Sequence, residues 1–366
     1  MRVCFLSVIL GLLLLGTAPA SDLEEVSRVS VGKGKSATPY KSSWYSTSST
    51  RLQSYTIDNK LIVNQRVRLN ERTMISDNGG HFGILKYNDH SPTTFSALRF
   101  DLYDSGGQKL WSVSKPGAVS FVVSDASAMA IGIIGGIGML NSEVVIYSSN
   151  GEATSGIPVR ELKEVRFSPS ASMIFVNSAD SGLVSYDTLG NKLRVFGPAH
   201  AFSVSHSGEE VAAATPSGPS YFSSGMRSKA STSNPGNSGS EVAIVLDQAL
   251  SVAGFLYPNA LKVYSLPAMK MEWEFNLHDT NRKLTSLDIS PDFIAIGYDS
   301  PSTSNGETEH TEGGVMLFSR IGEQLLDHPL SYDRWSRQFP AVKFASHEDT
   351  ILVCTATDVY MFRIVR

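Results

Sequence analysis

The side chains with the clearest capacity for chemistry form an acidic group late in the chain. Glu307, Glu309, His310 and Glu312 lie close together in sequence. Carboxylate and imidazole groups are ligands for divalent cations, so an ordered loop here would form a metal site. Without a metal the same residues form a solvated acidic loop. A divalent cation is therefore a candidate ligand, and no other cofactor is expected.

A second set of polar residues is spread along the chain in predicted connections between strands. These residues are Asp89, His90, Asp180, Asn259 and Asp299. If the fold brings them together, their side chains could bind a metal or act as acid and base on a small ester. Catalysis requires at least three of Asp89, His90, Asp180, Asp299 and His310 within about 5–8 Å of one another.

No established catalytic motif accompanies these residues. The chain contains no Gly-x-Ser-x-Gly nucleophile elbow, no His-Glu-x-x-His and no cysteine-based metal pattern. The glycines between Gly132 and Gly138 are not followed by a helical pattern, so they indicate a strand and its loop rather than a dinucleotide site. With 31 basic and 35 acidic residues the net charge is −4, which makes nucleic acid an unexpected partner.

The first twenty residues have the pattern of a cleaved signal peptide. An apolar run from Val3 to Leu15 is followed by Ala18-Pro19-Ala20, a typical cleavage site. The run is shorter than a membrane span, and no other segment reaches that length. We expect an exported protein, periplasmic or extracellular, without a transmembrane segment. Only Cys354 remains after cleavage, so no intramolecular disulfide is expected.

The rest of the chain is repetitive. An apolar strand ending in an aromatic residue, then a turn, occurs seven times, and the aromatics are Tyr103, Tyr147, Tyr186, Phe222, Tyr264, Phe318 and Phe362. Upstream of each one lie two further predicted strands joined by a turn that contains Ser, Asp or Pro. Four short strands in each unit of about 40–45 residues are typical of a propeller blade.

The repeat count predicts an all-β, seven-bladed β-propeller, with six or eight blades as alternatives. The last unit reaches Arg366 with only three strands, so we expect an N-terminal strand at about residues 52–67 to close the ring. Blades then occupy about residues 70–366, within a propeller domain of residues 52–366. Residues 21–51 are rich in Ser and Thr and are predicted to be flexible, and residues 217–240 are predicted to form a mobile insert.

The segment Tyr103–Trp111, which reads YDSGGQKLW, resembles the blades of WD40-like and quinoprotein-like (PQQ-like) bacterial β-propellers. Tyr103-Asp104 and Tyr186-Asp187 stand where WD40 repeats carry Trp-Asp, and only Trp111 and Trp273 match the tryptophans of quinoprotein blades. The resemblance covers about 300 residues. It implies a propeller fold, and a fold does not define a function.

The absence of a catalytic motif favours a binding or scaffolding module that is not an enzyme. A rigid propeller presents variable loops, so a protein or a glycan is the expected partner, and we expect a monomer. Two alternatives remain open. One is a propeller-type hydrolase or lactonase that uses the Asp and His residues named above, and the other is an envelope assembly factor that binds partner strands at a blade edge.

Overall fold

The computed structural model describes residues 22–31, 35–87, 97–114, 116–229, 243–304, 307–309, 312–332, 339–346, 349–355 and 357–365. The predicted leader, residues 1–20, lies outside these ranges. All regular elements in the described ranges are β-strands, so the predicted all-β class is confirmed. None of the described segments forms a helix that is long and apolar enough to cross a membrane.

The strands form eight four-stranded antiparallel sheets, which are the blades of a propeller. The first strand, β1 (Asp22–Ser30), belongs to the last blade. Blade 1 contains β2 (Lys35–Pro39), β3 (Ser43–Ser48), β4 (Arg51–Thr56) and β5 (Leu61–Arg66). Blade 2 contains β6 (Glu71–Ile75), β7 (His81–Tyr87), β8 (Ala97–Asp104) and β9 (Lys109–Ser114). Blade 3 contains β10 (Ser120–Val123), β11 (Ala130–Ile134), β12 (Ser142–Tyr147) and β13 (Ala153–Val159).

The next three blades follow the same order. Blade 4 contains β14 (Leu162–Phe167), β15 (Met173–Ser178), β16 (Gly182–Asp187) and β17 (Lys192–Gly197). Blade 5 contains β18 (Ala201–Val204), β19 (Val211–Thr215), β20 (Gly218–Ser223) and β21 (Met226–Lys229). Blade 6 contains β22 (Ala243–Leu246), β23 (Val252–Tyr257), β24 (Ala260–Ser265) and β25 (Lys270–Asn276).

Two features distinguish the last two blades. Blade 7 contains β26 (Lys283–Ile289), β27 (Phe293–Asp299), β30 (Glu312–Ser319) and β31 (Gln324–Ser331). Between its second and third strands a separate two-stranded ribbon is formed by β28 (Ser302–Ser304) and β29 (Glu307–Glu309). Blade 8 contains β32 (Ala341–Phe344), β33 (Thr350–Cys354), β34 (Asp358–Val365) and, as its outer strand, β1.

The predicted seven blades are wrong, because residues 35–66 form a complete additional blade. Its third strand contains Tyr55, the counterpart of Tyr103 in blade 2, but its first two strands are rich in Ser and Thr, and the turn after its third strand lacks the recurring Gly. The strands are nevertheless buried on their inner faces. Trp44 and Tyr45 are each 1% exposed, Trp44 stacks on Tyr55, and the Tyr45 hydroxyl donates to the carbonyl of Gly79. The expectation of a flexible segment over residues 21–51 is corrected accordingly.

The ring is closed by an N-terminal strand, but a different one from the segment at 52–67. β1 pairs with β34 from Asp22 opposite Val365 to Ser30 opposite Asp358, so the first and last described strands share blade 8. Residues 52–67 instead lie mainly in the third and fourth strands of blade 1. Of the predicted mobile insert, residues 218–223 and 226–229 form β20 and β21, and residues 230–240 lie outside the described ranges.

The apolar core lies between the blades rather than within one layer. Eight clusters of buried side chains are present in the described residues, one between each pair of neighbouring blades. The cluster between blades 8 and 1 includes Trp44 and Cys354, and Cys354 is fully buried. Each blade face is therefore covered by the next blade, and this packing stabilises the ring.

Candidate functional site

The two faces of the ring are built differently. One face, the turn face, carries the connections between first and second strands and between third and fourth strands of each blade. The other face, the loop face, carries the connections between second and third strands and between successive blades. Within the described ranges, the two longest connections lie on the loop face: residues 135–141, and the connection that contains the ribbon of β28 and β29. A variable loop face on a regular scaffold is where function is expected in a propeller.

The turn face is held by a recurring serine that has a structural role. In five blades a buried serine that follows the first strand accepts a hydrogen bond from the amide at the start of the second strand, at 3.0–3.3 Å. These serines are Ser76, Ser124, Ser168, Ser205 and Ser290. In blade 6 Asp247 takes the same position and accepts from the amide of Val252. The Ser- or Asp-containing turns seen in the sequence therefore fix hairpins.

The residues predicted to form a site differ in their placement: some lie outside the described ranges, some are exposed, and one is buried. Asp89, His90 and His310 lie outside the described residues, so the structure does not test the hydrolase alternative that depends on them. Asp180 and Asn259 are exposed on the loop face in blades 4 and 6. A hydrogen bond from the Ser178 hydroxyl to Asp180 lowers the pKa of that carboxyl group.

Asp299, by contrast, is buried at the end of β27. Its Oδ1 accepts a 2.7 Å hydrogen bond from the hydroxyl of Tyr332, which also donates to the carbonyl of Glu312 at 2.9 Å. Burial, and next the adjacent Asp299 carboxylate, raise the pKa of Tyr332. Asp299 thus anchors the connection from β27 to β30 to the chain that leaves blade 7.

The predicted acidic metal site falls on this connection. The backbones of Glu307 and Glu309 lie in β29, opposite Ser304 and Ser302, and Glu312 is exposed at the start of β30. Among the described residues, no group of three or more His, Cys, Asp or Glu side chains is arranged to hold a metal ion.

A group of charges that sequence reasoning missed lies around the propeller axis. Asp77, on the turn face of blade 2, is reached by solvent, yet the surrounding protein removes part of its hydration and so raises its pKa. Asp125 and Glu164 raise this pKa further, whereas Arg166 and Lys343 oppose the shift. The four charged residues that act on Asp77 belong to blades 3, 4 and 8. They are close enough to affect its pKa because the ring brings the inner strands of its blades together.

Most of these axial charges are already paired. Arg166 bonds to Glu164 on the same strand, and Asp125 accepts two hydrogen bonds from Asn78. Lys343 contacts Oδ1 of Asp288 at 3.1 Å, while Oδ2 of Asp288 accepts from the amide of Phe344 at 2.8 Å. These axial charges therefore hold neighbouring blades together. The carboxylate of Asp77 is the main group among them that a ligand could contact.

The loop face carries an exposed apolar segment between β11 and β12. Ile137, Met139 and Leu140 are 62%, 56% and 59% exposed. Three large apolar side chains in one short connection form an exposed apolar surface, whose hydration is unfavourable. Such surfaces mark interaction sites. The sequence signal was limited to the glycines on either side of Ile137.

The backbone of this segment is fixed to the next blade. The amide of Gly138 donates to the carbonyl of Leu162 at 2.7 Å, and the amide of Glu161 donates to the carbonyl of Met139 at 3.1 Å. The carbonyl of Glu161 in turn accepts from the amide of Ala179, next to Asp180, at 3.2 Å. Three connections of blades 3 and 4 are thus joined, and the apolar side chains are presented on an ordered backbone.

Comparison with known proteins supports the fold. No protein-family model matches the chain, and no curated protein matches its sequence. A solved structure, the C-terminal WD40 domain of Sif2, is similar over 94% of this chain and 99% of that chain, with a TM-score of 0.61 and 11% identity. At this identity the likeness concerns the fold alone. The chain thus has a WD40-like β-propeller fold, with eight blades in place of the predicted seven.

Proposed function

We propose that the protein is an exported, non-catalytic binding module that holds a protein partner on its loop face. The observation that carries this proposal is the segment of Ile137, Met139 and Leu140, whose side chains are exposed while its backbone is bonded to blade 4. Transfer of each of these side chains from water into an interface is favourable by up to about 1.5–3 kcal/mol.

The ordered backbone strengthens this argument. Binding costs free energy when loops must be ordered, so a segment that is already fixed retains more of its apolar contribution. The three side chains are aliphatic, which suits an apolar protein surface better than the polar ring of a sugar. We therefore favour a protein over a glycan as the partner.

Partner recovery with matched variants tests the proposal. The loop variant Ile137→Asp/Met139→Asp is compared with the wild type and with Ile321→Asp, because Ile321 is 82% exposed in a turn on the opposite face. Each purified protein is immobilised and exposed to the periplasmic or extracellular fraction of the producing cells. Every partner retained by the wild type and by Ile321→Asp is then purified, and its Kd is measured for the wild type and for both variants.

We expect at least a tenfold weaker Kd for the loop variant, since two buried apolar contacts become charged. Equal Kd values for the loop variant and the wild type would refute the loop as the binding site. The export part of the proposal is tested separately by N-terminal sequencing of the protein from the same fraction. Cleavage after Ala20 is the expected result, and an intact leader on protein confined to the cytoplasm would contradict it.

A further inference from the structure

A concentration of positive charge lies on the loop face at blade 1, away from the apolar segment of blade 3. Arg51 begins β4 and Arg66 ends β5, and the two residues are directly opposite each other in the register of these strands. Arg68 follows in the connection to blade 2. All three side chains are exposed. We call Arg51, Arg66, Arg68 and the adjacent Leu69 the basic sector.

The opposed arginines are electrostatically unfavourable in isolation. Directly opposite residues have Cβ atoms about 4.5–5.5 Å apart, and like charges in this arrangement destabilise a sheet. Within the described residues, the guanidinium groups of Arg51, Arg66 and Arg68 make no hydrogen bond or ion pair. The chain as a whole carries a net charge of −4, so this basic sector stands out against an acidic background. An external anion would relieve the repulsion.

The connection that carries Arg68 is a fixed turn with an apolar tip. Val67 is buried, and its amide donates to the carbonyl of Thr50 at 2.9 Å. The amide of Arg68 donates to Oε2 of Glu71 at 2.9 Å, and the amide of Glu71 donates back to the carbonyl of Arg68 at 3.0 Å. The nearby carboxylate of Glu71 is thus used by a backbone amide. Leu69, at the tip, is 91% exposed.

Blade 2 extends the positive charge along the same face. Lys86 lies opposite Arg99 in the register of β7 and β8, and Arg99 is only partly neutralised by a 2.8 Å contact with Asp101. Arg72, also exposed, lies over the ring of Tyr87, with its guanidinium carbon 5.3 Å from the ring centroid. Cations therefore continue from blade 1 into blade 2 at the strand ends that face the loops.

We propose that the basic sector docks on the surface of an anionic lipid bilayer. Planar guanidinium groups bind phosphate oxygens in pairs, and anionic headgroups supply a field of such charges. A single exposed leucine beside these arginines fits the boundary between headgroups and acyl chains. The partner chemistry is thus a negatively charged membrane surface, contacted peripherally.

Vesicle sedimentation tests this directly with the full mature chain. The vesicles are phosphatidylcholine alone, or phosphatidylcholine with about 30 mol % phosphatidylserine. We expect the wild type to sediment only with the anionic vesicles, and to be released as salt is raised from about 0.1 M to about 0.5 M. Arg51→Gln and Arg66→Gln should each weaken binding about fivefold, and Leu69→Asp should weaken it further.

Matched controls lie at the other end of the molecule. Arg363→Gln removes an exposed arginine from the turn-face end of β34, and Leu189→Asp places a charge at an exposed tip on the turn face. Both should bind vesicles as the wild type does. The variants Arg51→Gln and Arg66→Gln should keep the wild-type melting temperature or exceed it, because each relieves a like-charge contact.

Three results would overturn the proposal. These are equal binding to neutral and anionic vesicles, unchanged binding by the arginine variants, and binding of soluble polyglutamate with no binding of vesicles, which would indicate an acidic protein instead. The proposal does not depend on the protein-binding loop of blade 3. Ile137→Asp/Met139→Asp should retain vesicle binding, so each of the two proposals can fail without the other.

Discussion

The hydroxyl of Tyr332 donates a 2.7 Å hydrogen bond to Oδ1 of Asp299, and both side chains are buried. Tyr332 follows the outer strand of blade 7, whereas Asp299 ends its second strand. The bond therefore joins two parts of the loop face across the blade. It identifies Asp299, a residue with a possible catalytic role on sequence grounds, as a support for the connection that carries β28 and β29.

Removing this hydroxyl should destabilise blade 7. In Tyr332→Phe the buried carboxylate of Asp299 loses one donor, and such a loss costs about 1–3 kcal/mol of unfolding free energy. Urea denaturation at pH 7 measures the change. The double variant Tyr332→Phe/Asp299→Asn completes a double-mutant cycle, and we expect a coupling energy of at least about 0.5 kcal/mol. Strict additivity of the two substitutions would show that the bond contributes nothing.

Ring closure should depend on the packing of β1 and not merely on its presence. Leu23 is 5% exposed in the core between blades 7 and 8, while Val26 on the same strand is 41% exposed. Leu23→Asp buries an unpaired charge, so we expect it to lower the unfolding free energy by more than about 3 kcal/mol. Val26→Asp, the matched control, should change it by less than about 0.5 kcal/mol. Urea denaturation measures both changes. A change for Leu23→Asp as small as that for Val26→Asp would mean that the packing of β1 is dispensable.

The fold could be predicted from sequence because one structural position repeats. The aromatic at the end of the third strand, such as Tyr103 or Tyr264, packs in the core and is followed by a turn, so it leaves a periodic signal. The count failed at blade 1, where the signal is a single residue, Tyr55, among Ser- and Thr-rich strands. Composition suggested flexibility there, whereas burial of Trp44 and Tyr45 against neighbouring blades decides the structure.

The candidate surfaces were harder to predict, because they depend on register and exposure. Arg51 and Arg66 are fifteen residues apart in sequence, and the register of β4 and β5 places them opposite each other. The apolar residues of 137–140 resemble a core strand until the structure shows them exposed. Polar residues in strand connections were identified, but their type alone does not separate the buried Asp299 from the exposed Asp180.

The serine turns should contribute measurably to stability. The Oγ of Ser168, which is fully buried, accepts from the amide of Met173 at 3.1 Å. Ser168→Ala leaves that amide without this acceptor, so we expect a loss of about 1–2 kcal/mol of unfolding free energy. Ser149→Ala, at an exposed position in a turn of blade 3, is the control and should change it by less than about 0.5 kcal/mol. A loss no larger than that of the control would refute a structural role for the hydroxyl.

The axial carboxylate of Asp77 should make stability fall as the pH rises. The folded protein raises the pKa of Asp77, through lost hydration and then through Asp125 and Glu164 against the opposing Arg166 and Lys343. Above the ordinary value of about 4, the folded state therefore holds this proton more strongly than the unfolded state does. The stabilising contribution of the protonated form is complete below that value and is lost as pH rises through the folded pKa.

Asp77→Asn removes this dependence, so the variant should gain stability relative to the wild type between about pH 3 and pH 7. Asp187→Asn is a control of opposite sign, because hydrogen bonds from Asn191 lower the pKa of Asp187. The ionised carboxylate of Asp187 stabilises the fold above the ordinary pKa, and this contribution is lost as the pH falls through the lowered pKa of the folded protein. Asp187→Asn should therefore be less stable than the wild type at pH 7 and similar to it at low pH. Urea denaturation at both pH values measures each difference. If Asp77→Asn is instead less stable than the wild type at pH 7, the prediction is wrong. The attraction of Arg166 and Lys343 for the Asp77 carboxylate would then outweigh the cost of its lost hydration.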